Sequence, residues 1–105
     1  MTLNDYQTLA ARTINANPEI HSLLGLSAEV GELLGIYQKR YQGHEDTDQH
    51  RMKEAGDILW MLAEYCTSQG WTLDEVAEMN IDKLRARYPD GFDPERSLHR
   101  RAGDE

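Results

Sequence analysis

Cysteine is nearly missing from this sequence, since Cys66 is the only one in 105 residues. A single thiol forms no intramolecular disulfide and excludes a zinc site of paired cysteines, so we expect a reducing, cytoplasmic location. A long apolar run is missing too, because no stretch approaches the roughly 20 residues that a membrane-spanning helix needs. The N-terminus also lacks the basic and apolar parts of a secretory signal. We therefore expect no membrane partner.

Positive charge is scarce as well. The chain has 11 lysines and arginines against 19 aspartates and glutamates, which leaves a formal net charge of −8. A surface of this charge argues against broad binding to nucleic acid polymers or anionic membranes. It still allows a polyphosphate ligand if metal ions bridge the ligand and the protein.

Several familiar catalytic signatures are absent. The sequence has no glycine-rich phosphate loop and no nucleophile elbow. The acidic motifs do not carry the histidines that a ferritin-type di-iron bundle needs. Four histidines are scattered without zinc-site spacing, and we expect all of them at the surface: His21, His44, His50 and His99.

What the chain does contain is helical periodicity, in a composition of 39% hydrophobic and 29% charged residues that is typical of a soluble globular protein. A first helix is predicted over residues 3–15 and a second over about 18–41. A third follows a cap at Thr47 or Asp48 and reaches about Ser68. A fourth begins with a capping box at Thr72, reaches about Arg87 and precedes a short tail. We expect one all-α domain over residues 1–105.

Two acidic pairs stand out on the second and third helices. Glu29 and Glu32, and then Glu54 and Asp57, are each three residues apart, which puts both carboxylates of a pair on one helical face. Glu54 falls inside the apolar stripe of the third helix, where a carboxylate is costly unless it is paired or bound to a cation. Four converging carboxylates require neutralisation, and hard dications such as Mg²⁺ prefer oxygen ligands. The first pair lies beside an apolar arc that is predicted to border the core: Leu23, Leu26, Val30, Leu33, Leu34 and Tyr37.

A third acidic pair, Glu75 and Glu78, is interpreted differently. These residues lie opposite the apolar face of the fourth helix, as does Asp82, and Glu75 completes the capping box. We expect all three to be solvated rather than bound to a metal.

Glycines interrupt the second helix at Gly25, Gly31 and Gly35. Because glycine lowers helix propensity, these positions suggest close helix packing or a ligand near the backbone. The sequence leaves open the third interpretation, in which the glycines are merely tolerated.

The two acidic pairs, together with residues 25–32, 54–60 and 80–84, resemble the paired signature of the all-α nucleoside triphosphate pyrophosphohydrolases, the MazG-like group. The segment from Arg87 to Phe92, with Ser97 and Arg100, is similar to the tail of small MazG-like proteins of bacteria and phages. The resemblance covers most of the chain. The chain departs from longer members in holding one copy of the signature, so any composite site must come from self-association.

The resemblance implies a four-helix MazG-like bundle with a short C-terminal tail, assembled as a homodimer or homotetramer. It implies Mg²⁺, with Mn²⁺ as a substitute, held by Glu29, Glu32, Glu54 and Asp57. It further implies cleavage of a nucleoside triphosphate between the α and β phosphates, to a monophosphate and pyrophosphate. The general base is expected to be Glu29 or Glu32, and both remain open.

By the same resemblance, Asn80 and Lys83 are expected to meet the nucleotide or its phosphates. Lys39, Arg87 and Arg100 are weaker candidates, since ordinary solvated charge accounts for Lys39 and Arg100 equally well. Trp60 can stack on a base, although a core or interface role suits an aromatic side chain better.

Two other functions compete with this one. The first is a non-catalytic, metal-binding helical oligomer or regulator. The second is a hydrolase of nucleoside diphosphates or related pyrophosphates.

Overall fold

The protein is described here over residues 1–99 by a computed structural model. The α-helices of this part are α1 (Leu3–Ala10), α2 (Pro18–Tyr41), α3 (Asp48–Gln69), α4 (Leu73–Arg87) and α5 (Pro94–Leu98), with a 3₁₀ helix at Ala11–Thr13. Over these residues the fold is all-helical, so the predicted fold class is confirmed. None of these helices combines the length and the apolar character needed to cross a bilayer. Arg100 lies outside the described residues.

The chain packs as two compact units. The first, Met1–Leu73, contains α1, the 3₁₀ helix, α2 and α3, and the second begins at Asp74. The predicted bundle of four helices is therefore not confirmed as a count. The single domain and the oligomeric assembly stay predictions.

The first helix begins as predicted but ends early. Thr2 accepts a hydrogen bond from the Asp5 N–H at 3.0 Å, and Asp5 accepts one from the Thr2 N–H at 3.2 Å, which completes a capping box. The α-helix ends at Ala10 rather than near residue 15. Asn15 accepts a hydrogen bond from the Asn17 N–H at 2.9 Å, and such short-range side-chain bonds compete with helix continuation just before Pro18.

Two predicted helix starts behave differently. Thr47 caps α3 by accepting a hydrogen bond from the His50 N–H at 3.1 Å. Asn17 occupies the position before α2 but makes no capping bond with its side chain. Its backbone, at φ −120° and ψ 72°, lies outside the extended region from which a cap side chain reaches the first turn.

The α2–α3 pair is an antiparallel hairpin whose arms are joined by residues 42–47. Gly25 lies against Met61, and nearer the loop Arg40 Nε lies 3.1 Å from Asp46 Oδ1. Moving a given number of residues towards the C-terminus of α2 therefore corresponds to moving the same number towards the N-terminus of α3, over most of the hairpin. This register decides which side chains of the two acidic pairs face each other.

The core of the first unit lies mainly along α3. The buried apolar side chains are Ile36, Met61, Ala63, Cys66 and Leu73. Burial raises the pKa of the Cys66 thiol, so it stays protonated near neutral pH.

A buried glutamine fastens α1 to the end of α3. Gln7 donates to Thr67 Oγ1 at 3.0 Å and to the Trp71 carbonyl at 2.8 Å, and its own carbonyl accepts the Leu73 N–H at 2.7 Å. The amide nitrogen and the carbonyl oxygen of Gln7 are therefore both hydrogen-bonded within the fold, as a buried amide requires.

A buried carboxylate on α3, Glu64, contacts the segment before α2 and α2 itself. Glu64 accepts the Asn15 N–H at 3.3 Å and lies 2.5 Å from His21 Nδ1. His21 is consequently half-buried, whereas His44, His50 and His99 are exposed as expected. Nothing in the sequence indicated this pair, because its partners lie on different helices.

The predicted apolar arc of α2 is only partly covered. Leu26 and Leu33 are half-buried, but the remaining members are exposed: Leu23, Val30, Leu34 and Tyr37. The buried side chains of α2 are Ser22 and Ile36 instead. Only part of the apolar face of α2 is therefore covered within the fold.

Replacing Gly25 with alanine should destabilise the protein by about 1–3 kcal/mol, because overpacking a filled core carries that cost. An ideal Cβ at this position would stand 2.9 Å from Met61 Cγ and closer still to its Sδ, and Met61 is buried. Gly56→Ala is the matched control, since its added methyl meets open space, and it should stabilise by about 0.5–1 kcal/mol. Urea unfolding at one protein concentration measures both. Equal stabilisation by the two variants would contradict the close packing.

Candidate metal centre

Three carboxylates from α2 and α3 converge. Glu29, Glu54 and Asp57 each offer an oxygen, and these oxygens all lie within 4.8 Å of one another. We call these three residues the carboxylate cluster. All three side chains are half-buried, so the cluster lies at the edge of the α2–α3 contact rather than in open water.

The hairpin register explains the convergence. Glu29 follows Gly25 by four residues on α2, and Asp57 precedes Met61 by four residues on α3, so each lies one helical turn from the closest contact. Glu54 lies nearly one further turn towards the loop and shares the face of Asp57. The two pairs thus meet because the helices are antiparallel and in this register.

The donor set of the cluster suits a hard dication. Two oxygens bound to one cation at about 2.0–2.6 Å lie at most about 5 Å apart, which the cluster satisfies. Oxygen-only ligation favours Mg²⁺, Mn²⁺ or Ca²⁺ over zinc. The residues present therefore fit a bound dication of this class.

The electrostatics of the cluster point the same way. Partial desolvation raises the pKa of Glu29, and the negative charges of Asp57, Glu54 and Glu32 raise it further. A bound cation would stabilise the charged form of Glu29, because it would offset both the desolvation and the repulsion by the neighbouring carboxylates.

Two neighbours of the cluster were not predicted from the sequence. The pKa of Tyr6, on α1, is raised first by burial and then by the negative charge of Asp57, so its phenol interacts electrostatically with one member of the cluster. His50 Nε2 lies 3.5 Å from Glu54 Oε1. The four-residue spacing of His50 and Glu54 could have indicated this contact, whereas nothing in the sequence distinguished Tyr6 from other apolar-stripe residues.

Glu32 stands apart from the cluster. Its side chain is exposed, and it lines an open cleft of about 450 Å³ together with Glu54. We call this space the α2–α3 cleft. It runs over the second half of α2, the loop and the first turns of α3, and its remaining lining residues are Gly31, Gly35, Ile36, Lys39, Arg40, His44, Glu45, Asp46 and His50.

The loop end of the cleft is fastened by a buried aspartate. Asp46 accepts from Arg51 Nη1 at 2.5 Å and lies 3.1 Å from Arg40 Nε, and its side chain is only 8% exposed. Arg51 also pairs with Asp48. Since Arg40 is on α2 and Arg51 is on α3, Asp46 connects both helices to the loop and holds the wall of the cleft in place.

Comparison with known families supplies the remaining observation. The sequence model of the MazG nucleotide pyrophosphohydrolase domain matches residues 19–92, which is well over half of the chain. The chain belongs to the MazG family. No match was found among curated proteins or solved structures. The MazG match contains both acidic pairs and every residue of the cleft.

Of the residues predicted for a MazG site, the structure brings Glu29, Glu54 and Asp57 together and leaves Glu32 and Lys39 on the adjoining cleft. Trp60 is half-buried and donates its indole N–H to Thr13 Oγ1 at 2.9 Å, so this group is engaged within the fold. Base stacking by Trp60 stays a prediction.

The remaining predicted nucleotide contacts lie on α4. Asn80 and Lys83 are exposed, and the Arg87 guanidinium lies over the Tyr88 ring at 5.9 Å. These residues belong to the second unit, and their contact with a nucleotide stays a prediction. The expected solvation of the third acidic pair is confirmed, since Glu75 and Glu78 are exposed.

The metal-free protein should lose stability through Glu29 as the pH rises. The pKa of Glu29 in the folded state lies above its ordinary value of 4.5, so the folded protein binds more protons than the unfolded one between these two values. Stability from this group is therefore present at low pH and lost as the pH rises through the raised pKa. Without divalent ions, Glu29→Gln should have a higher Tm than the parent at pH 7 and no advantage at pH 4.

Thermal unfolding at both pH values measures this effect, with Glu78→Gln as the control for loss of an exposed carboxylate. Adding Mg²⁺ at pH 7 should raise the Tm of the parent more than that of Glu29→Gln. An equal Tm difference at pH 4 and pH 7 would contradict the repulsion within the cluster.

Proposed function

We propose that this chain is a Mg²⁺-dependent nucleoside triphosphate pyrophosphohydrolase that yields a nucleoside monophosphate and pyrophosphate, with Mn²⁺ able to replace Mg²⁺. The observation that carries the proposal is the convergence of Glu29, Glu54 and Asp57 from two helices, in a chain that belongs to a family of nucleotide pyrophosphohydrolases. A cytoplasmic location accords with this role and with the single cysteine.

In this proposal the carboxylate cluster holds the dication. A dication at such a site neutralises phosphate charge and lowers the pKa of a bound water. The three half-buried carboxylates would hold the dication, and the charge of Asp57 also acts on the partly buried phenol of Tyr6.

Glu32 is the general base in this proposal. It is outside the three-way convergence yet lines the cleft beside Glu54, so its carboxylate is available to accept a proton. Hydrolysis breaks one P–O bond of the α–β bridge and joins the water oxygen to one phosphorus. The bridging oxygen remains on the other phosphorus, and the proton passes to Glu32 and then to solvent. A ligand role for Glu32 remains a prediction beside this one.

We also propose nucleotide contacts from Asn80 and Lys83, with Lys39, Arg87 and Arg100 as weaker candidates. Lys39 is supported by its position on the cleft. The contacts from α4 and the tail rest on the resemblance alone.

Self-association is proposed from an exposed apolar stripe on α2. Its members recur at helical spacing and are all at least 40% exposed: Leu23, Val30, Leu34, Tyr37 and Tyr41. Aligned apolar side chains of this kind mark an interaction surface, and a second copy of the chain is the partner that a homodimer or homotetramer would supply.

Incubation with Mg²⁺ and a panel of nucleoside tri-, di- and monophosphates should release pyrophosphate and a monophosphate from triphosphates. Glu54→Gln should lower kcat/KM at least about 100-fold, because losing a ligand charge removes several kcal/mol of transition-state stabilisation. Glu78→Gln, an exposed glutamate of the third acidic pair, should remain within about twofold of the parent. Cleavage of diphosphates alone would favour the second hydrolase, and no cleavage would favour the non-catalytic oligomer.

The roles proposed for Glu32 and Glu54 can be distinguished by kinetics together with calorimetry. Glu32→Gln should lower kcat about 10²–10⁴-fold, as loss of a general base does, with Mg²⁺ affinity unchanged. Glu54→Gln should weaken Mg²⁺ binding in calorimetry. A Glu32→Gln protein that loses Mg²⁺ affinity would assign Glu32 to ligation instead.

Leu34→Glu should shift the protein towards monomer in size-exclusion chromatography with light scattering, because it puts a charge into the apolar stripe, where Leu34 is 61% exposed. Met52→Glu, which changes an exposed apolar residue of α3 outside the stripe, is the control. A monomeric parent, or an unchanged mass for Leu34→Glu, would contradict association through α2.

A further inference from the structure

The α2–α3 cleft shares the wall residue Glu54 with the carboxylate cluster and extends from it towards the loop. Its floor is made by Gly31 and Gly35, which are one helical turn apart on α2. An ideal Cβ on either glycine meets nothing within 4 Å, so these positions are not occupied by packing. This distinguishes them from Gly25, which Met61 covers.

Glycine inside a helix is destabilising relative to alanine, and a bare floor brings the helix backbone within reach of a ligand. The two glycines therefore carry a cost that nothing packed against them explains. A ligand that lies over this turn of α2 explains both the space and its position next to the cluster.

The charges of the cleft are separated along α2. Glu32 and Glu54 lie at the end that adjoins the cluster, and Lys39 lies two turns further along, roughly 10 Å away along the helix axis. Side chains on a helix lean towards its N-terminus, which directs the Lys39 side chain towards Gly35, one turn earlier in the same cleft.

The cations at the loop end are not equally available. Arg40 is paired with Asp46, whereas within residues 1–99 no carboxylate lies within 4 Å of Lys39. His44 adds an exposed imidazole, and Glu45 adds a negative charge on the loop. Among the described residues, no phenylalanine, tyrosine or tryptophan lines the cleft, so it lacks a large stacking surface for a base.

We propose that the α2–α3 cleft receives the pyrophosphate end of the substrate, with Lys39 and His44 binding its terminal phosphate over the floor formed by Gly31 and Gly35. This inference rests on the proposed function, in which the α–β bridge is cleaved at the carboxylate cluster. The leaving pyrophosphate then remains in the cleft, and the nucleoside lies on the other side of the cluster. A polyphosphate bound together with a dication suits a cleft that is acidic near the cluster and presents Lys39 at its far end.

Product inhibition separates the two ends of the substrate. Lys39→Gln should raise the Ki of inorganic pyrophosphate and the KM for triphosphate about tenfold, the effect of losing one charge-assisted hydrogen bond, while leaving the Ki of the monophosphate within about twofold. Gly35→Leu should have the same effect by filling the floor, and its Tm shows whether it is folded. Lys53→Gln is the matched control, since Lys53 is an exposed lysine of α3 outside the cleft.

An unchanged Ki of pyrophosphate in both Lys39→Gln and folded Gly35→Leu would overturn the assignment while leaving the hydrolysis in place. A raised Ki of the monophosphate alone would also overturn it, because the cleft would then hold the nucleoside. If the parent cleaves no nucleotide, the proposed function fails. Calorimetry with Mg²⁺ and pyrophosphate then tests pyrophosphate binding in the cleft independently of catalysis. Binding by the parent that Lys39→Gln weakens would support the cleft, and no binding by the parent would overturn it.

Discussion

The close approach of α2 and α3 at Gly25 and Met61 is the constraint on which the rest of the site depends. A side chain on Gly25 would push the helices apart or turn one against the other. With the contact in place, Glu29 and Asp57 each lie one turn away from it and must face each other. One glycine at the α2–α3 contact thereby sets the separation of the half-buried carboxylates.

The arrangement works against the stability of the metal-free protein. Carboxylates drawn together at a half-buried edge raise the pKa of Glu29, and the uncovered Gly31 and Gly35 weaken α2. Such local costs are common at binding sites, where the ligand offsets them. Hydrogen bonds on either side of the site stabilise the surrounding structure. Asp46 connects the loop to both helices, and Gln7 connects α1 to the end of α3.

The sequence predicted the bounds of α2, α3 and α4 closely and the shared face of Glu54 and Asp57, because both depend on local spacing. The start of α1 at its Thr2 cap and the solvated pair at Glu75 and Glu78 were accessible for the same reason. Apart from the convergence of the carboxylates, the sequence did not predict the contacts that cross between helices. Helical periodicity does not encode the proximity of such residues. The examples are the His21–Glu64 pair, the interaction of Tyr6 with Asp57, and the Arg40–Asp46 ion pair.

The three glycines of α2 show where the division lies. That the second helix carries costly glycines beside an acidic pair could be read from the sequence, because helix propensity and spacing are properties of one segment. The packing of the two helices, in contrast, is what covers Gly25 with Met61 and leaves Gly31 and Gly35 facing an open cleft. It also leaves Glu32 outside the cluster. These distinctions depend on the register between two helices, which is set by side-chain packing across the hairpin and not by either helix alone.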